Sequence, residues 1–287
     1  RPVSNQRDQV SVPKKTHTGA NAGETFSINN KRAGIVSRFR GIGCGAMADS
    51  LEQIYRDSQY SSTDFDTRLE IMLRAQELDR DEKRRRSLLR NSGLPSCPDI
   101  GLIKLNLPRG IEISDLDINA SASRATDART LILSGPTGVG KTTILTHLGR
   151  SYCNAGLTVM YRNTENLLRS LACSEGRSRE QLFRKAVRAQ VLILDDFCIR
   201  APMDHDLVWE LYNIVDERLG NREQRRPVFI GTQLDMESED ERAGLSPAMG
   251  GTALAESVAD RLVNPSDLFV LSGESRRKGL RSKKADQ

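Results

Sequence analysis

The eight residues Gly135-Pro136-Thr137-Gly138-Val139-Gly140-Lys141-Thr142 constrain this chain more than any other feature. They fit the spacing G-x-x-x-x-G-K-[ST], and they follow the short apolar run Thr130-Leu131-Ile132-Leu133-Ser134. A helix is predicted after them, over 141–153. Glycines at these positions let the backbone curl so that successive N–H groups point inward at a helix N-terminus, which makes a concave anion site. Such a loop needs a strand behind it and a helix in front. The chain around it is therefore expected to be α/β.

The downstream pattern agrees. Strands are predicted at 158–161, 191–194, 228–230 and 268–271. Helices are predicted at 163–171, along the stripe Leu207, Val208, Leu211, Ile214 and Val215 ending near Gly220, and at 253–262. Val191-Leu192-Ile193-Leu194 is apolar throughout, as a strand buried on both faces must be. Strand–helix alternation of this kind predicts a parallel sheet flanked by helices.

Two further features complete a candidate phosphoryl-transfer site. The apolar strand delivers Asp195 and Asp196 at its C-terminal end, where ligands of α/β sheets bind. Thr232 and Gln233 close the next strand. The expected ligands are ATP and Mg²⁺, with residues 135–142 and Thr143 around the phosphates. Lys141 is expected to reach the β- and γ-phosphates, and Thr142 and Asp195 to hold the metal. Asp196 is expected to orient or deprotonate the attacking water, with Gln233 facing the γ-phosphate or that water. His147, His205, Phe197 and Trp209 are read as structural.

Upstream, residues 1–34 read as a basic, disordered tail, poor in apolar residues. Helices are then expected from the spacing of Met47, Leu51, Ile54 and Tyr55, and from that of Phe65, Leu69, Met72, Leu73 and Leu78. Ser62 or Thr63 is the expected N-cap of the second helix. It continues through the charged run 79–86 towards Leu89, and the break 91–98 is read as a linker. The domains read as 1–34 tail, 35–98 helical DNA- or partner-binding domain, 99–277 nucleotide-binding domain and 278–287 basic tail.

The chain of 287 residues is 37% hydrophobic and 28% charged. It contains no apolar run long enough to span a membrane. The first residues carry no secretory pattern, and the five cysteines are scattered without a C-x-x-C, so a reducing cytoplasm is expected and a zinc site is not. Residues 1–45 hold eight Lys or Arg against two Asp or Glu, and residues 270–287 hold six against two. Basic ends on a mildly acidic body point to an anionic partner, with nucleic acid foremost.

With the Gly-rich loop, the acidic pair and the polar strand end in this order, the chain resembles the AAA+ ATPases related to the DnaC helicase loader. It is more closely similar to the IstB family of insertion-sequence helper ATPases. The resemblance extends from about Ile35 to Arg277. It includes Gly45-Ala-Met-Ala-Asp-Ser-Leu51, the helix 163–171, Thr232-Gln233, Asp260-Arg261-Leu262 and Gly273-Glu-Ser-Arg-Arg277. It implies an AAA+ P-loop core preceded by a small all-helical domain, ATP-dependent homo-oligomerisation on duplex DNA, and a transposase as client. Arg261 would act as an arginine finger in a neighbouring site, and Arg218 resembles a further family arginine. Thr143 stands where the family commonly has histidine, the tryptophan after the sensor strand is missing, and Arg276 replaces an aromatic.

A replicative helicase loader, whose client would be a helicase ring, and a non-catalytic nucleotide switch are the alternatives. The paired N-terminal helices favour the transposition helper over the loader, and the intact Asp195-Asp196 pair argues against the switch.

Overall fold

The computed structural model describes residues 20–96, 107–108, 110–121, 129–220, 225–236, 244–264 and 266–273. Residues 1–19 of the expected N-terminal tail, the C-terminal tail 278–287, and Arg276 and Arg277 lie outside them, as does the acidic run 237–241. The chain divides into two compact units, Arg1–Asp81 and Glu82–Gln287.

In the first unit, helix α1 spans Ala20–Gly41 and α2 spans Gly45–Arg56. A 3₁₀ turn at Ser58–Tyr60 leads to α3, Phe65–Ser92, which runs on into the second unit. Helix α1 corrects the expected tail, because residues 20–34 are helical. Their polar composition carries no apolar period, and among the described residues of α1 Val36 is buried in the core with Phe39 packed against it. That core is small: Val36, Met47, Ala48, Leu51, Ile54 and Met72. The cap of α3 is also a correction. Asp64, rather than Ser62 or Thr63, accepts from Thr67 N (2.9 Å) and Thr67 Oγ1 (2.7 Å), and these bonds hold its carboxyl below the usual range. A carboxylate satisfies the orphan N–H groups and also meets the positive end of the helix dipole.

In the second unit, the charged stretch of α3 is held by Glu82, which takes Arg85 at 2.9 Å and Arg86 at 2.7 Å. Leu88 and Leu89 on the same helix pack on the core. After α4 (Ile113–Ala120) come β1 (Thr130–Ser134), α5 (Lys141–Asn154), β2 (Val159–Asn163), α6 (Thr164–Ala172) and α7 (Gly176–Arg188). The remaining elements are β3 (Val191–Phe197), α8 (His205–Leu219), β4 (Val228–Thr232), α9 (Leu245–Ala248), α10 (Ala253–Val263) and β5 (Ser266–Val270).

The five strands form one sheet in the order β2-β3-β4-β1-β5, and every pairing is parallel. Alternate residues feed two cores. Ile132, Leu192, Leu194 and Ile230 join the side chains of α6, α8 and α10. Leu131, Leu133, Val191, Ile193 and Phe229 join those of α4 and α5. This two-faced burial is why β3 reads as a continuous apolar run. It is the expected parallel sheet with helices on both faces. Because β4 lies between β1 and β3, the C-terminal ends of all three strands stand side by side.

Candidate functional site

The loop after β1 curls through three glycines with positive φ: Gly135 (142°), Gly138 (85°) and Gly140 (116°). Gly140 is the N-cap of α5 and has no side-chain hydrogen bond to that helix end. The first N–H groups of α5 therefore face the loop, with the helix dipole behind them. Val139 is buried and anchors the loop from below, whereas Thr142 is exposed and Thr143 half-buried. The Lys141 ammonium folds back to donate to Gly135 O (2.6 Å) and Pro136 O (2.9 Å), so its charge sits within the loop's own curve.

The end of β3 is not a regular strand. Its register with β4 shifts between Leu194 and Phe197, and Asp196 (φ 54°) and Cys198 (φ 52°) lie in the left-handed region. Such a kink re-aims side chains at a strand end. Asp195 turns to the α5 face and is buried. Its Oδ2 accepts from Thr142 Oγ1 (2.6 Å) and from the Tyr161 hydroxyl (2.6 Å), and its Oδ1 accepts from Asp196 N (3.0 Å). Asp196 is half-buried, and its Oδ2 accepts from Asn163 Nδ2 (3.1 Å). Asn163 uses its other amide atom to cap α6, taking Asn166 N at 3.2 Å. From the end of β4, Gln233 Oε1 accepts from Thr137 Oγ1 (2.7 Å), so the polar strand end touches the loop itself.

The donor chemistry fits a nucleotide with a hard cation. The loop offers N–H groups and one ammonium to phosphate. A hydroxyl and a carboxylate 2.6 Å apart are the oxygen donors that Mg²⁺ takes alongside phosphate oxygens.

The structure thus brings Lys141, Thr142, Asp195, Asp196 and Gln233 together. It places Arg261 elsewhere: on α10, ion-paired to Asp216 of α8 (2.9 Å) and lying over the Tyr212 ring. Arg218 has a purely internal setting. It is fully buried and donates to the carbonyls of Ala186, Val187, Ala189 and Pro227.

Sequence reasoning missed Tyr161, Asn163 and Gly231. A Cβ on Gly231 would stand 2.5 Å from Asp195 Oδ1 and 2.8 Å from Leu145 Cδ1, so only glycine leaves room for the carboxylate. The one available signal was that glycine, interrupting an apolar strand one residue before the polar end.

The family model described as IstB-like ATP binding protein matches residues 39–284. A relative named as an insertion sequence IS1162 ATP-binding protein of Pseudomonas fluorescens is 30% identical over 190 residues, covering 65% of this chain and 81% of the relative. One named as insertion sequence ATP-binding protein y4pL of Sinorhizobium fredii is 32% identical over 154 residues, covering 53% of this chain and 58% of the relative. The crystal structure of DnaI overlays with a TM-score of 0.47 at 19% identity, over 65% of this chain and 94% of that one, too distant to bear on function. The family match takes in the Gly-rich loop, the acidic pair and most of the helical unit before them, so this chain belongs to the IstB-like ATP-binding protein family and is a P-loop ATPase.

Proposed function

We propose that this chain is an ATP-dependent DNA-binding helper of insertion-sequence transposition, which assembles on duplex DNA and acts with a transposase. One observation carries the reading: the family match begins at residue 39 and so includes most of the small helical unit as well as the nucleotide site. Both relatives described above are named for insertion sequences. A replicative helicase loader would share the nucleotide chemistry but not these relatives.

Within the site, Lys141 turns from the two loop carbonyls to the β- and γ-phosphates, and the N–H groups of the loop and of α5 hold the remaining oxygens. Thr142 and Asp195 would hold Mg²⁺, which when bound would neutralise charge on the transferred phosphoryl group. Asp196 accepts a proton from the attacking water, and Gln233 fixes that water or the γ-phosphate from the neighbouring strand end.

DNA contact is expected to be with phosphates, since aromatic residues for base stacking make up 5% of the chain. Affinity for duplex DNA in the presence of ATP and Mg²⁺ should then fall linearly with salt on a log–log plot, by about 0.9 per phosphate neutralised. Lys141→Ala should lose fluorescent-ATP binding and, with it, the ATP-dependent part of DNA binding. Absence of duplex binding with ATP present would overturn the proposal.

Assembly gives a second expectation, centred on Arg261. Its ion pair with Asp216 is partly exposed, with side chains 30% and 45% accessible, and such pairs are worth at most about 1 kcal/mol. Releasing the guanidinium towards a neighbouring subunit's phosphates would also give up its bonds to Ser257 and its contact with the Tyr212 ring. Arg261→Ala should bind ATP as the parent does and turn it over slowly. Mixing it with Lys141→Ala should restore turnover, because one chain supplies the loop and the other the arginine. Unchanged turnover in Arg261→Ala at every protein concentration would reduce this residue to a surface ion pair.

A further inference from the structure

Asp195 is gripped from three sides, and one of the gripping groups belongs to neither the Gly-rich loop nor the acidic pair. The Tyr161 ring packs against the core between the sheet and α5. Its position follows from the register: Asn163 pairs with Asp195 and Tyr161 with Ile193, so Tyr161 and Asp195 are diagonal neighbours on one face of adjacent strands. The hydroxyl donates to Asp195 Oδ2 at 2.6 Å, and the same oxygen accepts from Thr142 Oγ1 at 2.6 Å. On the far side Oδ1 takes Asp196 N, and Gly231 lies directly against it.

A carboxylate that must share a cation with Thr142 has two soft torsions of its own. The hydrogen bond to Thr142 cannot by itself hold them, because that hydroxyl is the group that turns to the cation when one binds. The bond from Asp196 is local and fixes only the other oxygen. The phenol is different: its half-buried ring packs against the core, its hydroxyl does not have to move, and it grips the oxygen that faces Thr142. Phenylalanine would fill the same space, so packing alone gives no reason for a hydroxyl here.

We propose that Tyr161 is a positioning residue that holds Asp195 in its cation-sharing orientation and thereby sets the divalent-metal requirement of the nucleotide site. The inference rests on the assignment of Thr142 and Asp195 to Mg²⁺ made above and deepens it.

The test compares Tyr161→Phe with the parent chain. Fluorescent-ATP binding is titrated with Mg²⁺, and Mn²⁺ uptake is followed by electron paramagnetic resonance in the presence of a non-hydrolysable ATP analogue. Loss of one hydrogen bond to a charged acceptor should raise the half-saturating concentration of either metal by about tenfold or more. Nucleotide affinity at saturating Mg²⁺ should stay as in the parent. A thermal melt without metal is run alongside. A lower melting temperature with unchanged metal midpoints would make Tyr161 merely structural and overturn the inference while leaving the metal assignment in place. A parent whose ATP binding does not depend on Mg²⁺ would overturn both.

Discussion

Asp196→Asn is expected to lower ATP turnover by about 10²- to 10⁴-fold, the range a positioned general base contributes, while fluorescent-ATP affinity stays near that of the parent. The substitution is a clean probe because of the local backbone. Asp196 sits at φ 54°, in the left-handed region that most side chains avoid but that Asn and Asp both tolerate, so the kink at the end of β3 survives. The amide oxygen can still accept from Asn163 Nδ2, as the carboxylate does at 3.1 Å. What disappears is basicity. Single-turnover hydrolysis and equilibrium titration on the same preparation separate the two effects. Equal loss of binding and turnover would instead place Asp196 among the metal ligands, next to Asp195.

The parts of this site that could be read from sequence are those whose chemistry is contiguous. The loop 135–142 writes its glycines, lysine and threonine within eight residues, and the helix that must follow it has its own period. Asp195 and Asp196 announce themselves by ending an apolar strand. Tyr161 could not be found this way. Its role depends on which residue of β3 faces it, and the register of two parallel strands joined through α6 and α7 is written in neither strand. Gly231 is similar, since its need for a hydrogen side chain comes from a carboxylate on the neighbouring strand.

Elements were lost where the apolar signal is thin. Helix α7 has thirteen residues, but only Leu182, Phe183 and Ala186 among them pack on the core, and no helix was predicted there. Among its described side chains, helix α1 gives the core Val36, with Phe39 packed against it. At the start of α3, three adjacent residues were chemically able to cap, and only the backbone geometry selects Asp64. In each case a weak local preference was decided by tertiary contact.

Arg218 shows the same limit from the other direction, and the largest expected loss of stability follows from it. From its place at the end of α8 it resembles an arginine of the family. In the structure it is fully buried, and its guanidinium ties the end of α7 to the residue that leads into β4. One nitrogen donates to Ala186 O (2.7 Å), Val187 O (3.0 Å) and Ala189 O (2.8 Å) at the end of α7, and the other to Pro227 O (2.8 Å), just before β4. Carbonyls at a helix C-terminus have no partners within the helix, and a buried one left unpaired costs about 1–3 kcal/mol. Burial, with the neighbouring Arg226 adding to it, lowers the Arg218 pKa to about 9, so the side chain still carries its proton at neutral pH and meets the negative end of the α7 dipole. Arg218→Met keeps the volume but removes every donor. The relief of a buried charge offsets part of the loss, and Arg226 still reaches Val187 O at 3.1 Å. A net cost of about 3–5 kcal/mol is expected, which for a unit of this size lowers the melting temperature by about 6–20 °C. Arg218→Lys should fall between the two, since an ammonium keeps the charge but cannot span both segments as a planar fork does. If Arg218→Met melted with the parent yet lost ATP turnover, the arginine would serve the reaction rather than the fold.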